Sequence, residues 1–146
     1  DLQIPEGFYK IVMFNPFSNF HLSMMINYPN ESDRKLGCKR PGGTIFIHGN
    51  CVTIGCIPIT DELIKELYLI CVDTMSSSRR NIPVYIFPAR MTENEMKEIE
   101  ILHQNDPVLI NFWKNIKIGY NLFESTRKAL KVSIDKSGFY VFEAVQ

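Results

Sequence analysis

The apolar positions of this chain fall into short runs early and longer periodic stretches later. "IPEGFYKIVMFNP" opens with a Pro-Glu-Gly turn signal and continues as a strand-like run. "HLSMMINYP" predicts a second strand, ended by Pro29. Residues 30–43, "NESDRKLGCKRPGG", are polar and rich in turn formers, and predict a surface loop. "TIFIHG" alternates: Ile45 and Ile47 face one way, Thr44, Phe46 and His48 the other. It predicts a short strand with His48 at its end. "TDELIKELYLICVDTM" predicts a helix with Thr60 as N-cap and Asp61 and Glu62 at the positive end of the dipole. Its apolar stripe is Leu63, Ile64, Leu67, Ile70 and Cys71. "IPVYIF" predicts a strand stopped by Pro88.

The C-terminal half changes period. "TENEMKEIEILHQ" predicts a helix capped by Thr92 with Glu95 at the capping-box position, and His103 in its last turn. "PVLINFWKNIKIGYNLFESTRK" predicts a longer helix, with Phe112, Trp113, Tyr120 and Phe123 as core. "ALKVSI" and "GFYVFE" flank "DKSG", a hairpin signal. Strands, then helices, then a hairpin make an α+β chain. At 146 residues one domain is the default.

Composition narrows the function classes. The chain is 45% hydrophobic and 22% charged, with Lys+Arg equal to Asp+Glu. A net charge of zero argues against a nucleic-acid partner. No stretch approaches the ~20 apolar residues of a membrane span. The chain opens at Asp1, and a processed or truncated start is expected.

Cys38, Cys51, Cys56 and Cys71 are even in number, but the chain is too long and too apolar to need a disulfide framework. Cys71 lies on the apolar stripe of a helix and reads as a core thiol. "IHGNCVTIGC", residues 47–56, holds His48, Cys51 and Cys56. A C-x4-C spacing is not that of zinc ribbons, although His48 could join such a site. Cys51 and Cys56 could form a redox pair. The third reading is nucleophilic catalysis. A thiolate needs a group to take its proton, and histidine titrates near neutral pH. Glycines let backbone N–H groups approach an oxyanion, and Gly49 and Gly55 stand beside His48 and Cys56. Cys56 Sγ is then expected within ~3–4 Å of a His48 ring nitrogen. A short loop running into a helix would favour the thiolate. Spacing alone leaves all three readings open.

"GGTIFIHGNCVTIGCIPI" resembles the active-site segment of the L,D-transpeptidase catalytic domain family (YkuD-like). That family has a strand ending in His-Gly, a loop, then Ser/Thr-His-Gly-Cys. His48-Gly49 matches the first part, and Thr53, Gly55 and Cys56 the second. "IPEGFYKI" resembles the family's Thr-Pro-Glu-Gly-x-Tyr segment. "FHLSMMINYPNESDR", "IPVYIFPARMT" and "FWKNIKIGYNLFE" resemble its YafK-like branch, so the likeness runs along nearly the whole chain. It implies a mostly β sandwich or barrel core with added helices in the C-terminal half. It also implies a periplasmic or cell-envelope setting, peptidoglycan stem peptides as substrates, possible contact with envelope proteins linked to peptidoglycan, and no cofactor or metal. By the resemblance, the chain is expected to lack the family's earliest strands, ahead of Asp1.

The resemblance implies Cys56 as nucleophile and His48 as general base and then acid, its ring oriented by the Gly49 carbonyl. It implies oxyanion contacts from the amides of Gly55 and Cys56. Ile54 stands where the family has a histidine, which leaves His48 as the base. Pro58 stands where the family has an arginine, so Arg34 and Arg90 become the candidates for a substrate carboxylate. His21 matches a histidine of the YafK-like pattern and, with Tyr28 and Thr53, is a candidate for the site wall; Asn30 and Asp33 flank these in "YPNESDR". Hydrolysis is favoured slightly over transpeptidation, with an amidase or carboxypeptidase as the form it would take. The rival class is a non-catalytic peptidoglycan-binding module with structural cysteines.

Overall fold

A computed structural model describes residues 3–37, 39, 41–78 and 81–143; Cys38 lies outside them. The chain divides into two compact units, Asp1–Asn30 with Arg40–Tyr85, and Glu31–Lys39 with Ile86–Gln146.

The first unit is built on β1 (Gly7–Ser18), β2 (His21–Ile26), β3 (Phe46–His48), β4 (Ile57–Pro58) and β5 (Pro83–Ile86). They form one sheet in the order β4-β3-β2-β1-β5. β1 and β2 are antiparallel, with register shifts between Ile11 and Met13 and between Asn15 and Ser18. Such irregularities bend a strand and increase its twist. Phe8, Tyr9, Ile11, Met24, Ile26 and Ile47 are buried. Both Ile47 and His48 are buried, so the end of β3 is covered on both faces.

Helix α2 (Asp61–Ser78) packs on β2 and β3. Its buried arc is not the whole stripe expected from sequence. Ile64 and Cys71 are buried, but Leu63 and Ile70 are 55% and 56% exposed. At 100° per residue Leu63, Leu67 and Ile70 lie on one side, and Ile64, Tyr68 and Cys71 on the next. The sheet covers the second arc, where Tyr68 meets Phe14 edge-on at 5.3 Å. Thr60 caps α2 from a left-handed backbone: its φ is 71° and its hydroxyl accepts from the Leu63 amide at 3.5 Å.

The second unit holds α1 (Glu31–Leu36), α3 (Glu93–Leu102), α4 (Pro107–Thr126) and the hairpin β6 (Lys131–Ile134) to β7 (Tyr140–Glu143). The surface loop expected at 30–43 is in part the helix α1, with Ser32 buried. Glu31 and Lys35 pair across one turn at 2.7 Å, and Lys35 donates to the Asp135 carbonyl at 3.0 Å. Tertiary anchoring made a helix of a polar sequence that carries no apolar period. Thr92 caps α3 as expected: its hydroxyl accepts from the Glu95 amide at 3.4 Å and donates to the Glu95 carboxylate at 2.7 Å. Trp113 is buried, with His103 edge-on to it at 5.0 Å. Asn115 on α4 pins the hairpin, exchanging both amide bonds with the Tyr140 backbone at 2.9 Å. Lys117 donates to Glu93 at 2.6 Å and holds that carboxyl below its ordinary range. Among the described residues no helix is long and apolar enough to cross a membrane. The α+β class expected from sequence is the class observed.

Candidate active site

The central feature is a short connection between two parallel strands. β3 and β4 pair in parallel, Ile47 with Ile57 and His48 with Pro58. Parallel pairs normally need a crossover of a dozen or more residues. Here only residues 49–56 intervene, so the loop must coil tightly. Asn50 and Gly55 supply left-handed backbone at φ 65° and 139°. At Gly55 glycine is the residue that tolerates such a φ.

Side chains brace this loop from within. The Asp61 carboxylate accepts from the Asn50 amide at 2.7 Å, and the Asn50 side chain accepts from the Cys51 amide at 2.6 Å. The Asn50 carbonyl accepts from the Thr60 amide at 3.2 Å. The Thr53 hydroxyl accepts from the Gly55 amide and donates to the Cys56 carbonyl, both at 3.0 Å. The Gly55 amide is therefore already engaged. The Cys56 amide makes no hydrogen bond among the described residues, and is the donor left for an oxyanion.

Gly49 is closely surrounded. A Cβ there would lie 2.6 Å from Asp61 Oδ1, 2.7 Å from the Phe20 carbonyl oxygen and 3.0 Å from Ile64 Cγ2. Its amide donates to the Leu22 carbonyl at 3.2 Å.

His48 is buried and paired with Ser23 of β2. Its Nδ1 lies 2.5 Å from the Gly49 carbonyl oxygen. A carbonyl only accepts, so Nδ1 carries the proton and Nε2 keeps its lone pair. Nε2 has no partner among the described residues. One face of the ring meets Phe20, with centroids 4.7 Å apart and planes inclined at 36°.

Cys56 is half-buried and directly precedes β4. Continuing the β3–β4 register back one residue sets Cys56 opposite Phe46, on the same pleat face as His48. Their Cα atoms would then be about 8 Å apart, given strands ~4.8 Å apart and ~3.3 Å of rise per residue. No hydrogen bond joins the Cys56 thiol to the His48 ring. Catalytic hydrogen bonds often tighten only when substrate is bound. Cys56 is also separated from α2 by β4, so it does not sit at that helix's N-terminus.

Cys51, Cys56 and Cys71 are free thiols, Cys51 exposed and Cys71 buried. Burial pushes the Cys71 thiol up from its ordinary value. Among the described residues no three His, Cys, Asp or Glu side chains cluster as metal ligands would.

The other candidates are scattered. His21 is exposed and lies two residues along β2 from Ser23, with φ 72°. Tyr28 is half-buried; it donates its hydroxyl proton to the Pro41 carbonyl and meets Tyr9 edge-on at 6.1 Å. Asn30 is buried and donates to the Phe8 carbonyl at 3.2 Å. Arg34 and Arg90 are exposed residues of the second unit. Phe20, Ser23 and Asp61 touch the His48 strand or its loop without having been singled out. Phe20 reads as an ordinary aromatic at a hairpin tip, and Asp61 as a first-turn helix acid. Only the register shows what they face.

Residues 1–110 match the YkuD family, described as an L,D-transpeptidase catalytic domain. The chain belongs to that family. The Escherichia coli K12 protein named "Putative L,D-transpeptidase YafK" is 35% identical over 143 residues, covering 97% of this chain and 55% of its own length. The protein of the same name from E. coli O157:H7 gives the same figures. The chain thus spans about half the length of these curated relatives. The likeness to the YkuD family and its YafK-like branch read from the sequence is the relationship found.

Proposed function

We propose that the chain is a cysteine acyl-transfer domain of the bacterial cell envelope, acting on peptidoglycan stem peptides. The observation that carries this is the state of His48: its Nδ1–H is tied to the Gly49 carbonyl and its Nε2 has no partner among the described residues, on a strand whose parallel neighbour begins directly after Cys56. Nε2 takes the Cys56 thiol proton. The thiolate attacks the carbonyl carbon of the third stem residue. The Cys56 amide holds the oxyanion. Gly55 serves chiefly through its φ of 139°, since its amide is held by Thr53.

The C–N bond then breaks as protonated His48 returns the proton to the departing amine, leaving a thioester on Cys56. Water adds next, giving its proton to Nε2, and the C–S bond breaks to restore the thiol. An amine in place of water would give transpeptidation. Hydrolysis is favoured slightly, because Pro58 in β4 occupies the position of the family's usual arginine. A bidentate Arg–carboxylate contact contributes more than ~1.5 kcal/mol, and losing it weakens the hold on a charged stem. His21, Tyr28 and Thr53, all of the first unit, remain the proposed substrate contacts.

The missing thiol–imidazole hydrogen bond favours a second reading, a peptidoglycan-binding module without catalysis. One experiment separates the two. Wild type and Cys56→Ala are incubated with tetrapeptide muropeptides and with sacculi carrying attached protein, and products are read by mass spectrometry. Shortened stems or released protein that vanish in the variant support hydrolysis. Cross-linked dimers refute that preference but keep the enzyme class. Stem binding with no product in either supports the binding module.

A further inference from the structure

We infer that Phe20 is a positioning residue for His48: the β1–β2 turn clamps the imidazole so that Nε2 is presented to the substrate. This rests on the proposed Cys56–His48 chemistry. Four contacts tie the turn to the catalytic strand. The Phe20 ring lies against the imidazole at 4.7 Å. The Phe20 carbonyl oxygen lies 2.7 Å from where a Cβ on residue 49 would be. The Leu22 carbonyl accepts from the Gly49 amide at 3.2 Å, and Ser23 pairs with His48.

The turn is itself set for this. The Ser18 hydroxyl accepts from the Phe20 amide at 3.1 Å. The Leu22 amide donates to the Phe20 carbonyl at 3.0 Å, closing a three-residue turn around His21 at φ 72°. That is the rare, strained form of γ-turn, which persists where surroundings over-determine it. Phe20 is still 41% exposed. Burial of its own ring is therefore not what holds it; its buried area is in part the face of His48.

The chemistry explains why a second restraint matters. A hydrogen bond from Nδ1 to a neighbouring carbonyl restrains the ring but leaves libration about χ1 and χ2 in which that bond stretches or bends. A ring against the imidazole face removes that freedom. It also shields one face from water and leaves the Nε2 edge open. A carboxylate in the orienting position would supply charge as well as direction; here the partner is a neutral carbonyl, so packing must supply the rest.

The test uses the whole chain with tetrapeptide muropeptides and follows Phe20→Ala, Phe20→Tyr and Cys56→Ala. Wild type must first exceed Cys56→Ala; if it does not, the proposed chemistry fails, whatever Phe20 does. With that activity present, Phe20→Ala is expected to lower kcat by about ten- to a hundred-fold, the scale of a misplacement up to ~1 Å, with KM little changed. Phe20→Tyr should restore it. The readout that does not need substrate is long-range 1H–15N NMR of the His48 ring. Wild type should show the Nδ1–H tautomer, and Phe20→Ala an averaged one. A Phe20→Ala protein with wild-type kcat, or with an unchanged His48 spectrum, overturns the inference. A fall in kcat that Phe20→Tyr does not restore also overturns it.

Discussion

His48 donates its Nδ1–H to the carbonyl oxygen of Gly49, the next residue in the chain, at 2.5 Å. The imidazole is thus oriented by its own backbone. That contact needs no distant partner and depends on Gly49 keeping its place against Asp61 and the Phe20 carbonyl. His48→Ala should lower kcat roughly 10²- to 10⁴-fold, the range for loss of a general acid–base. Steady-state assays on muropeptides check this. Asp61→Asn should retain much of the activity, since Asp61 braces the Asn50 amide rather than the imidazole.

Gly49 and Gly55 should differ in kind when a methyl is added. A Cβ at residue 49 meets atoms at 2.6 and 2.7 Å, whereas one at residue 55 meets nothing within 4 Å. Gly49→Ala forces the Phe20 turn or Asp61 to move, at about 1–3 kcal/mol. Gly55→Ala costs a similar ~1–3 kcal/mol, but through its φ of 139° alone. Both lower the melting temperature by roughly 3–10 °C. The discriminating double variants relieve the clash: Asp61→Gly should recover part of the loss at Gly49→Ala and none at Gly55→Ala.

Much of the first unit was legible in sequence, because alternation and turn residues mark β1, β2 and the end of β3 directly. His48 and Cys56 stood out by residue type and by the glycines beside them. What was not legible came from tertiary contact. α1 has one apolar residue, Leu36, and is held by Glu31–Lys35 and by Lys35 on Asp135. The stripe on α2 read as wider than the arc the sheet covers, leaving Leu63 and Ile70 in solvent. Ser23 reaches His48 only through the register of β2 on β3, and Phe20 through the turn that precedes β2. The parallel pairing of β3 and β4 has no signal in a connection of residues 49–56.

Thr53 carries the shape of the loop at residues 49–56 through one hydroxyl that both accepts and donates. Thr53→Val removes both bonds, each worth about 0.5–1.5 kcal/mol net. It also frees the Gly55 amide and loosens the Cys56 carbonyl. Activity is expected to fall at least ~10-fold for a displacement of about half an ångström or more, while Thr53→Ser keeps most of it. Comparing the two by kcat and by melting temperature checks whether the hydroxyl or the β-methyl matters.

The buried thiol gives a pH test. Cys71 is 3% exposed, and burial raises its pKa above the ordinary 9.0. A raised folded-state pKa means the unfolded chain loses this proton first. Stability from Cys71 is therefore intact below about pH 9 and falls as pH rises beyond it. Thermal melts from pH 8 to 10.5 should steepen for wild type relative to Cys71→Ala. Brief iodoacetamide labelling near neutral pH should leave Cys71 slowest of the cysteines, with Cys56 ahead of the more exposed Cys51 if His48 assists its deprotonation. Faster labelling at Cys51 would move the nucleophile.

The central claim is a covalent acyl intermediate on Cys56. Intact-protein mass spectrometry of the chain quenched in acid during turnover of tetrapeptide muropeptide tests it most directly. The expected result is a mass increase of one acyl group that maps to Cys56 by peptide analysis, is removed by hydroxylamine as a thioester would be, and accumulates more slowly in His48→Ala. An acyl group carried on Cys51, or product formed at the wild-type rate by Cys56→Ala, would contradict the account.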